Sequence, residues 1–289
     1  MDVNRTNELK SLLDATIDSD TAAWLQQKLA EIIDSESTKD LYLTYSLLGN
    51  KLRSAGSLNY KTIDNAALKE YLTRHSADAL QVARIYLLSR VLEANGDYFR
   101  PKVANLIQVA DTGELETFLK FLTLLPHPEN YKQTAVEALR TNIATIFDAI
   151  SAYNPYPGKY FNDRQWNQMY LKAAFMQQDL SRILDVDKRA NADLARIISD
   201  YAHERWAASR DVDPQFWRPV AEYLDEGLLK DMERLLQSEN PAENKAGALC
   251  CFRSNKKEAK ELLDTHPELK NAVADGEITW ADLNDKNNL

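Results

Sequence analysis

The chain reads as an all-α protein, an irregular solenoid of antiparallel helix pairs. Three observations predict this. Apolar residues recur at spacings of three and four along most of the 289 residues, the period of a helix face. Only 8 glycines and 9 prolines occur, which favours long regular elements over a loop-rich β architecture. Strand-like alternation of apolar and polar residues is hard to find. With 44% apolar and 27% charged residues, the composition is that of an ordinary globular chain able to bury a sizeable core.

In chain order, Asp20 is expected to cap a helix carrying Trp24, Leu25, Leu29, Ile32 and Ile33, and a second helix runs through Leu41, Tyr45, Leu48 and Leu52. Each has one apolar stripe, so the two pair. From Asp78 to Leu92, apolar residues (Leu80, Val82, Ile85, Leu87, Leu88, Val91) cover most of the circumference, which predicts a helix buried between neighbours. Pro101, Gly113, Pro126-His127-Pro128, Pro214, Pro241 and Pro267 punctuate the chain at intervals suited to short helices joined by tight turns. This stacking is HEAT- or armadillo-like, without a fixed-period consensus. Ala246 to Cys251, Phe252, Ala259, Leu262, Leu263 and Leu269 form a terminal pair of helices, followed by Trp280, Leu283 and a frayed tail from Asn284 to Leu289. The chain is read as one helical domain, residues 1–289. A division into 1–150 and 151–289 is the alternative.

A net charge of −9 opposes generic binding to nucleic acid or anionic lipid. The adjacent Cys250 and Cys251 make neither a disulfide framework nor a metal-ligand spacing, which fits a reduced, cytoplasmic setting. The acidic start, Met1 to Asp20, is unlike a signal peptide, and no run approaches the roughly 18 apolar residues that span a bilayer. Phosphate-binding GxxxxGK, dinucleotide GxGxxG and nucleophile-elbow GxSxG strings are absent. His203-Glu204-Arg205-Trp206-Ala207 lacks the second histidine of a helical zinc motif, and His75, His127 and His266 are scattered, so no metal or cofactor is expected.

The composition changes at Tyr153. The stretch Tyr153-Asn154-Pro155-Tyr156-Pro157-Gly158-Lys159-Tyr160-Phe161 is turn-rich, and its two prolines are read as forbidding helix. It is either a surface loop sealing a helix end or a functional loop. Asn162 or Asp163 caps a following helix with Trp166, Met169, Tyr170 and Ala173 on one face and Asn167 and Lys172 outside it. Another helix starts after Asn191 and runs to about Arg210. Its apolar face gathers Leu194, Ile197, Ile198, Tyr201 and Ala208 with Arg205 among them, while Arg196, Asp200, His203 and Glu204 lie opposite. Arg205 then needs a carboxylate or an exit to water, and Asp163, Asp185 and Asp187 are candidate partners. Asp200, His203 and Glu204 are either a cluster able to orient an imidazole or supply a general base, or a solvated polar face. Trp206, Trp217 and Arg218 are either core or a surface for an anionic or aromatic ligand.

The strings Asn154-Pro155-Tyr156-Pro157, Lys159-Tyr160-Phe161, Trp166-Asn167-Gln168-Met169, Arg189-Ala190-Asn191, Asp200-Tyr201-Ala202-His203-Glu204-Arg205-Trp206-Ala207-Ala208 and Trp217-Arg218 resemble the EboA-domain proteins. The resemblance is concentrated in Tyr153 to Arg218. It departs from the family pattern at Ser209, where a glycine would precede Arg210, so it does not fix the end of that helix. The resemblance implies a place among proteins encoded beside a prenyltransferase-like membrane protein, a metal-dependent hydrolase-like protein and sugar-phosphate-isomerase-like proteins. Such clusters handle or export precursors of secondary metabolites, including scytonemin-type pigments. No catalytic residues are carried over. Two readings follow. The preferred one is a non-catalytic adaptor or binding module for other proteins of the pathway and a small-molecule intermediate. The other is a small-molecule-binding protein or enzyme with a pocket in 154–218, using Asn154, Tyr156, Tyr160, Trp166, Asn167, Lys172, Asp200, His203, Glu204, Arg205, Arg210, Trp217 and Arg218.

Overall fold

The computed structural model describes residues 2–53 and 55–284. All regular elements among them are helical, with no β-strand. The frayed tail expected from Asn284 lies, beyond that residue, outside the described residues. Two compact units divide the chain, Met1–Tyr160 and Phe161–Leu289.

The first unit holds α1 (Asp2–Asp14), α2 (Ser19–Ser35), α3 (Thr38–Lys51), α4 (Ala66–Arg74), α5 (Ala79–Ala94), α6 (Gly96–Ala104), α7 (Leu106–Val109), α8 (Thr112–Lys120), α9 (Lys132–Ala138), α10 (Ala144–Ser151) and α11 (Pro155–Tyr160). Helix α5 is its centre, packing on α1, α2, α3, α6 and α8. Every residue from Val82 to Ser89 is buried, as its all-round apolar surface predicts. Asp78 and Gln81 fix its start with a capping box. Buried Arg84 faces Glu114 at 3.5 Å and donates from Nε to the Tyr45 carbonyl at 3.3 Å. Helices α2 and α3 pack together, and Leu41, Tyr45, Leu48 and Leu52 of the α3 stripe are buried.

Two local expectations are corrected here. The cap of α2 is Asp18, whose carboxylate accepts from Thr21 N at 2.8 Å, whereas Asp20 lies in the first turn, where it complements the helix dipole. Pro101 does not separate helices. It sits inside α6 on an exposed position, where the carbonyl it leaves without a partner can reach water.

The second unit holds α12 (Asp163–Phe175), α13 (Ala192–Ala207), α14 (Glu226–Leu236), α15 (Pro241–Arg253), α16 (Lys257–Asp264) and α17 (Pro267–Ala274). The expected terminal pair of helices is three, because Pro267 opens a new helix at its first position. The core forms where the 3₁₀ segment Pro214–Tyr223 meets α13 and α15, with Phe216, Trp217, Val220 and Cys250 fully buried. Cys250 Sγ donates to the Trp217 carbonyl at 3.3 Å, and burial pushes the Cys251 thiol up to about 12 and that of Cys250 well above its ordinary value. Both thiols are therefore packing groups. At Gly247 an added Cβ would stand 3.1 Å from Leu235 Cβ, so α14 and α15 approach closely only because that side chain is missing. No helix among the described residues is long and apolar enough to cross a membrane.

Candidate functional site

The proline-rich stretch is a helix, which corrects the expectation that its prolines forbid one. Pro155 and Pro157 occupy the first and third positions of α11, where backbone N–H groups have no intrahelical partner to lose. Tyr153 turns the chain into it with φ 51°. Asn154, buried, then holds three backbone groups: its Oδ1 accepts from Tyr156 N at 3.0 Å and its Nδ2 donates to Leu119 O at 3.1 Å and Ala149 O at 2.9 Å. Tyr156 is fully buried, its hydroxyl donates to the Pro128 carbonyl at 2.7 Å, and burial pushes its phenol pKa up. Tyr160 is half-buried and packs on Tyr156 with ring centres 4.6 Å apart. These three candidates belong to the first unit.

In the second unit, Asn162 and Gln165 form a capping box that starts α12, and Trp166, Met169, Tyr170 and Ala173 are buried on its apolar face. Asn167 does not fall outside that stripe. It is buried, and its amide exchanges two hydrogen bonds with Asn191, at 3.0 and 2.9 Å. Asn191 in turn caps α13 through Leu194 N at 2.9 Å, so one amide pair joins two helices. Lys172 is half-buried, and burial pulls its ammonium pKa down. Asp163 pairs with Arg189 at 3.0 Å, and Arg189 also lies over the Trp166 ring, 5.2 Å from its centre.

Helix α13 distributes the remaining candidates. Arg205 takes none of the three aspartates offered for it. Its Nε and Nη2 donate to the Asp211 carbonyl at 3.0 and 2.8 Å, because the chain folds back at the helix end. That end is at Ala207. Ser209 stands at φ 53°, and Arg210 N donates to Arg205 O at 2.9 Å, a left-handed closure that favours glycine. The resemblance expects glycine at this residue. Arg210 and Glu204 are exposed, and Asp200 pairs with Arg196 at 3.4 Å rather than with His203.

His203 reaches across to α14. Its Nε2 donates to Asp231 Oδ1 at 2.6 Å, and the second oxygen of Asp231 accepts from Ser199 Oγ at 2.6 Å. Asp231 is 3% exposed, so its position is fixed by these bonds and by the apolar neighbours Leu228, Met232 and Leu235 on the same stripe. An aspartate among leucines at helical spacing was the sequence signal for it. Half-buried Trp206 stacks on buried Trp217, ring centres 5.6 Å apart at 21°. Its ring also lies 5.6 Å from that of His203 and 4.2 Å from the Arg234 guanidinium. Arg218 faces elsewhere. It makes a two-point contact with Asp187, 3.0 and 2.7 Å, and Arg253 holds the same carboxylate at 2.7 Å while bonding Glu222 at 3.0 Å. Burial raises the Asp187 pKa, but the hydrogen bonds and charges of Arg218 and Arg253 outweigh it and hold the group below its ordinary value.

The Ser199, Asp231 and His203 set has the residue types of a hydrolytic triad in the wrong order. A nucleophilic serine needs the imidazole next to it to take its proton. Here the carboxylate stands between hydroxyl and imidazole. Among the described residues no three His, Cys, Asp or Glu side chains gather as metal ligands.

A protein-family model described as metabolite traffic protein EboA matches residues 5–221, more than half of the chain. No curated protein and no solved structure matches it. The match stops before α14, so Asp231, Arg234 and Arg253 lie beyond it.

Proposed function

The chain belongs to the EboA family, and on that premise we propose that it is a non-catalytic adaptor or binding module in metabolite traffic, working in the cytoplasm on a secondary-metabolite precursor pathway. The observation that carries this reading is the order of Ser199, Asp231 and His203, which holds two helices together and leaves the serine without an imidazole beside it. The curved stack of helix pairs expected from the sequence belongs to the same proposal, since such stacks offer extended surfaces to protein partners. The test is to incubate the purified chain with the pathway's precursor and with the partner proteins encoded beside it. We expect stoichiometric retention of a partner or precursor and no product. Multiple turnover that His203→Ala abolishes in a folded variant would overturn the reading.

One observation favours a second reading, a small-molecule-binding protein or enzyme. Trp206, His203 and Arg234 bring an aromatic face, an imidazole and a guanidinium together on one partly exposed patch, the mixture that ligand sites combine.

A further inference from the structure

We infer that the α13–α14 face carries a site for a small oxyanion, a carboxylate or a phosphate, bound between His203 and Arg234 beside Trp206. The inference rests on reading this face as the binding face, and adds the chemistry of what it takes.

Arg234 is the first element. It is exposed, lies 4.2 Å from the centre of the Trp206 ring, and has no carboxylate partner among the described residues. The ring beneath it cannot drift, because buried Trp217 stacks against it. The guanidinium is therefore pre-positioned while its N–H edge stays available, and a planar fork of donors is what recognises an oxyanion. The second element is His203, whose side chain is 59% exposed. Asp231 accepts from Nε2, which leaves Nδ1 as the nitrogen open to a ligand. Both groups lie within 6 Å of the same indole ring, 5.6 Å for the imidazole and 4.2 Å for the guanidinium, which puts them on one patch around Trp206.

The neighbouring charges permit this despite the net charge of −9. On α14, Asp231 is occupied by Ser199 and His203, Glu233 accepts from Gln237, and Lys230 lies one turn before Arg234. On α13, Asp200 is paired with Arg196, and exposed Glu204 follows His203 in the chain as an opposing charge. An oxyanion accepting from Nδ1 needs that nitrogen protonated, with Nε2 still donating to Asp231.

The test is a titration of the full chain with inorganic phosphate and, separately, with benzoate. It is followed by the imidazole signals of His203 and the indole N–H of Trp206 in NMR spectra. We expect saturable shifts of both residues with at least one probe. Arg234→Met should weaken binding at least about tenfold, and Arg234→Lys, which keeps the charge without the fork, should fall between. Preference for benzoate assigns an aromatic carboxylate; preference for phosphate assigns a phosphate ester. The absence of saturable shifts with either probe, or equal affinity in wild type and Arg234→Met with both folded by circular dichroism, overturns the inference. The adaptor reading fails separately. Turnover of precursor by a chain that still binds the probe removes that reading and leaves the anion site standing.

Discussion

The turn at Asn154 and the α13 side of the α13–α14 face were nominated by the same run of sequence, and they use their polar groups in opposite ways. At the turn, Asn154 and Tyr156 are buried and direct polar atoms at backbone carbonyls and amides. On the face, His203 commits one nitrogen to Asp231, and Arg234 rests on an aromatic ring. The difference is one of what a change would cost. Backbone groups cannot move away from a lost partner inside a core, whereas side chains at a rim can turn to water. Function is tested cleanly only in the second region.

The sharpest way to break this comparison is Asn154→Ala. It removes one acceptor and two donor contacts in a buried setting, those to Tyr156 N, Leu119 O and Ala149 O. We expect a loss of about 3 kcal/mol in urea denaturation. Tyr156→Phe, losing one bond to Pro128, should lose about 1 kcal/mol. A neutral Asn154→Ala would mean the turn is not a structural anchor.

Asp231→Ala comes next, at about 2 kcal/mol in the same measurement. The carboxylate is buried, but Ser199 is half-buried and His203 exposed, so both former partners can hydrate. The same variant should free the imidazole from α14, read as increased mobility of the His203 signals. Retention of a fixed ring would show that Trp206, not Asp231, orients it.

How much the sequence discloses depends on how local each feature is. The all-helical class, the buried α5, the start of α13 after Asn191 and the apolar face of α12 follow from spacing within one helix, which the sequence displays. The partners of Arg205, His203 and Arg218 are not so displayed, because each lies on another segment: the Asp211 carbonyl, Asp231 and Asp187. The burial of Asn167 was hidden for the same reason, since its partner Asn191 is 24 residues away. The helix at Pro155 departs from the expectation because the first turn of a helix tolerates proline, which a helix interior does not.

Ser209 sharpens the contrast from the side of backbone strain. A non-glycine residue at φ 53° bears a steric cost that glycine does not, and Ser209 is exposed, so no packing would be lost. Ser209→Gly should stabilise the chain by about 0.5–1 kcal/mol, after the greater freedom of glycine in the unfolded chain is subtracted. A loss of stability instead would assign the hydroxyl a role at the end of α13.

The smallest effect belongs to the Asp187 clamp, the counterpart of Asp231 in the same unit. Asp231 is buried against a hydroxyl and an imidazole; Asp187 is about one-third exposed and held by two arginines that stay charged at any working pH. Its pKa is lower in the folded chain than in the unfolded one, where a carboxyl titrates near roughly 4. The folded state therefore releases that proton more readily, and its contribution is complete above the unfolded value. The contribution disappears as pH falls through the folded value, when the protonated group no longer attracts Arg218 and Arg253. Asp187→Asn should lower stability at neutral pH and flatten the acid limb of the stability curve below about pH 4. The effect should shrink in high salt, because exposure at the clamp lets ions screen it. An acid limb unchanged from wild type would mean that Asp187 titrates alike in both states, and that the arginines are held by Glu222 and the surrounding packing rather than by this carboxylate.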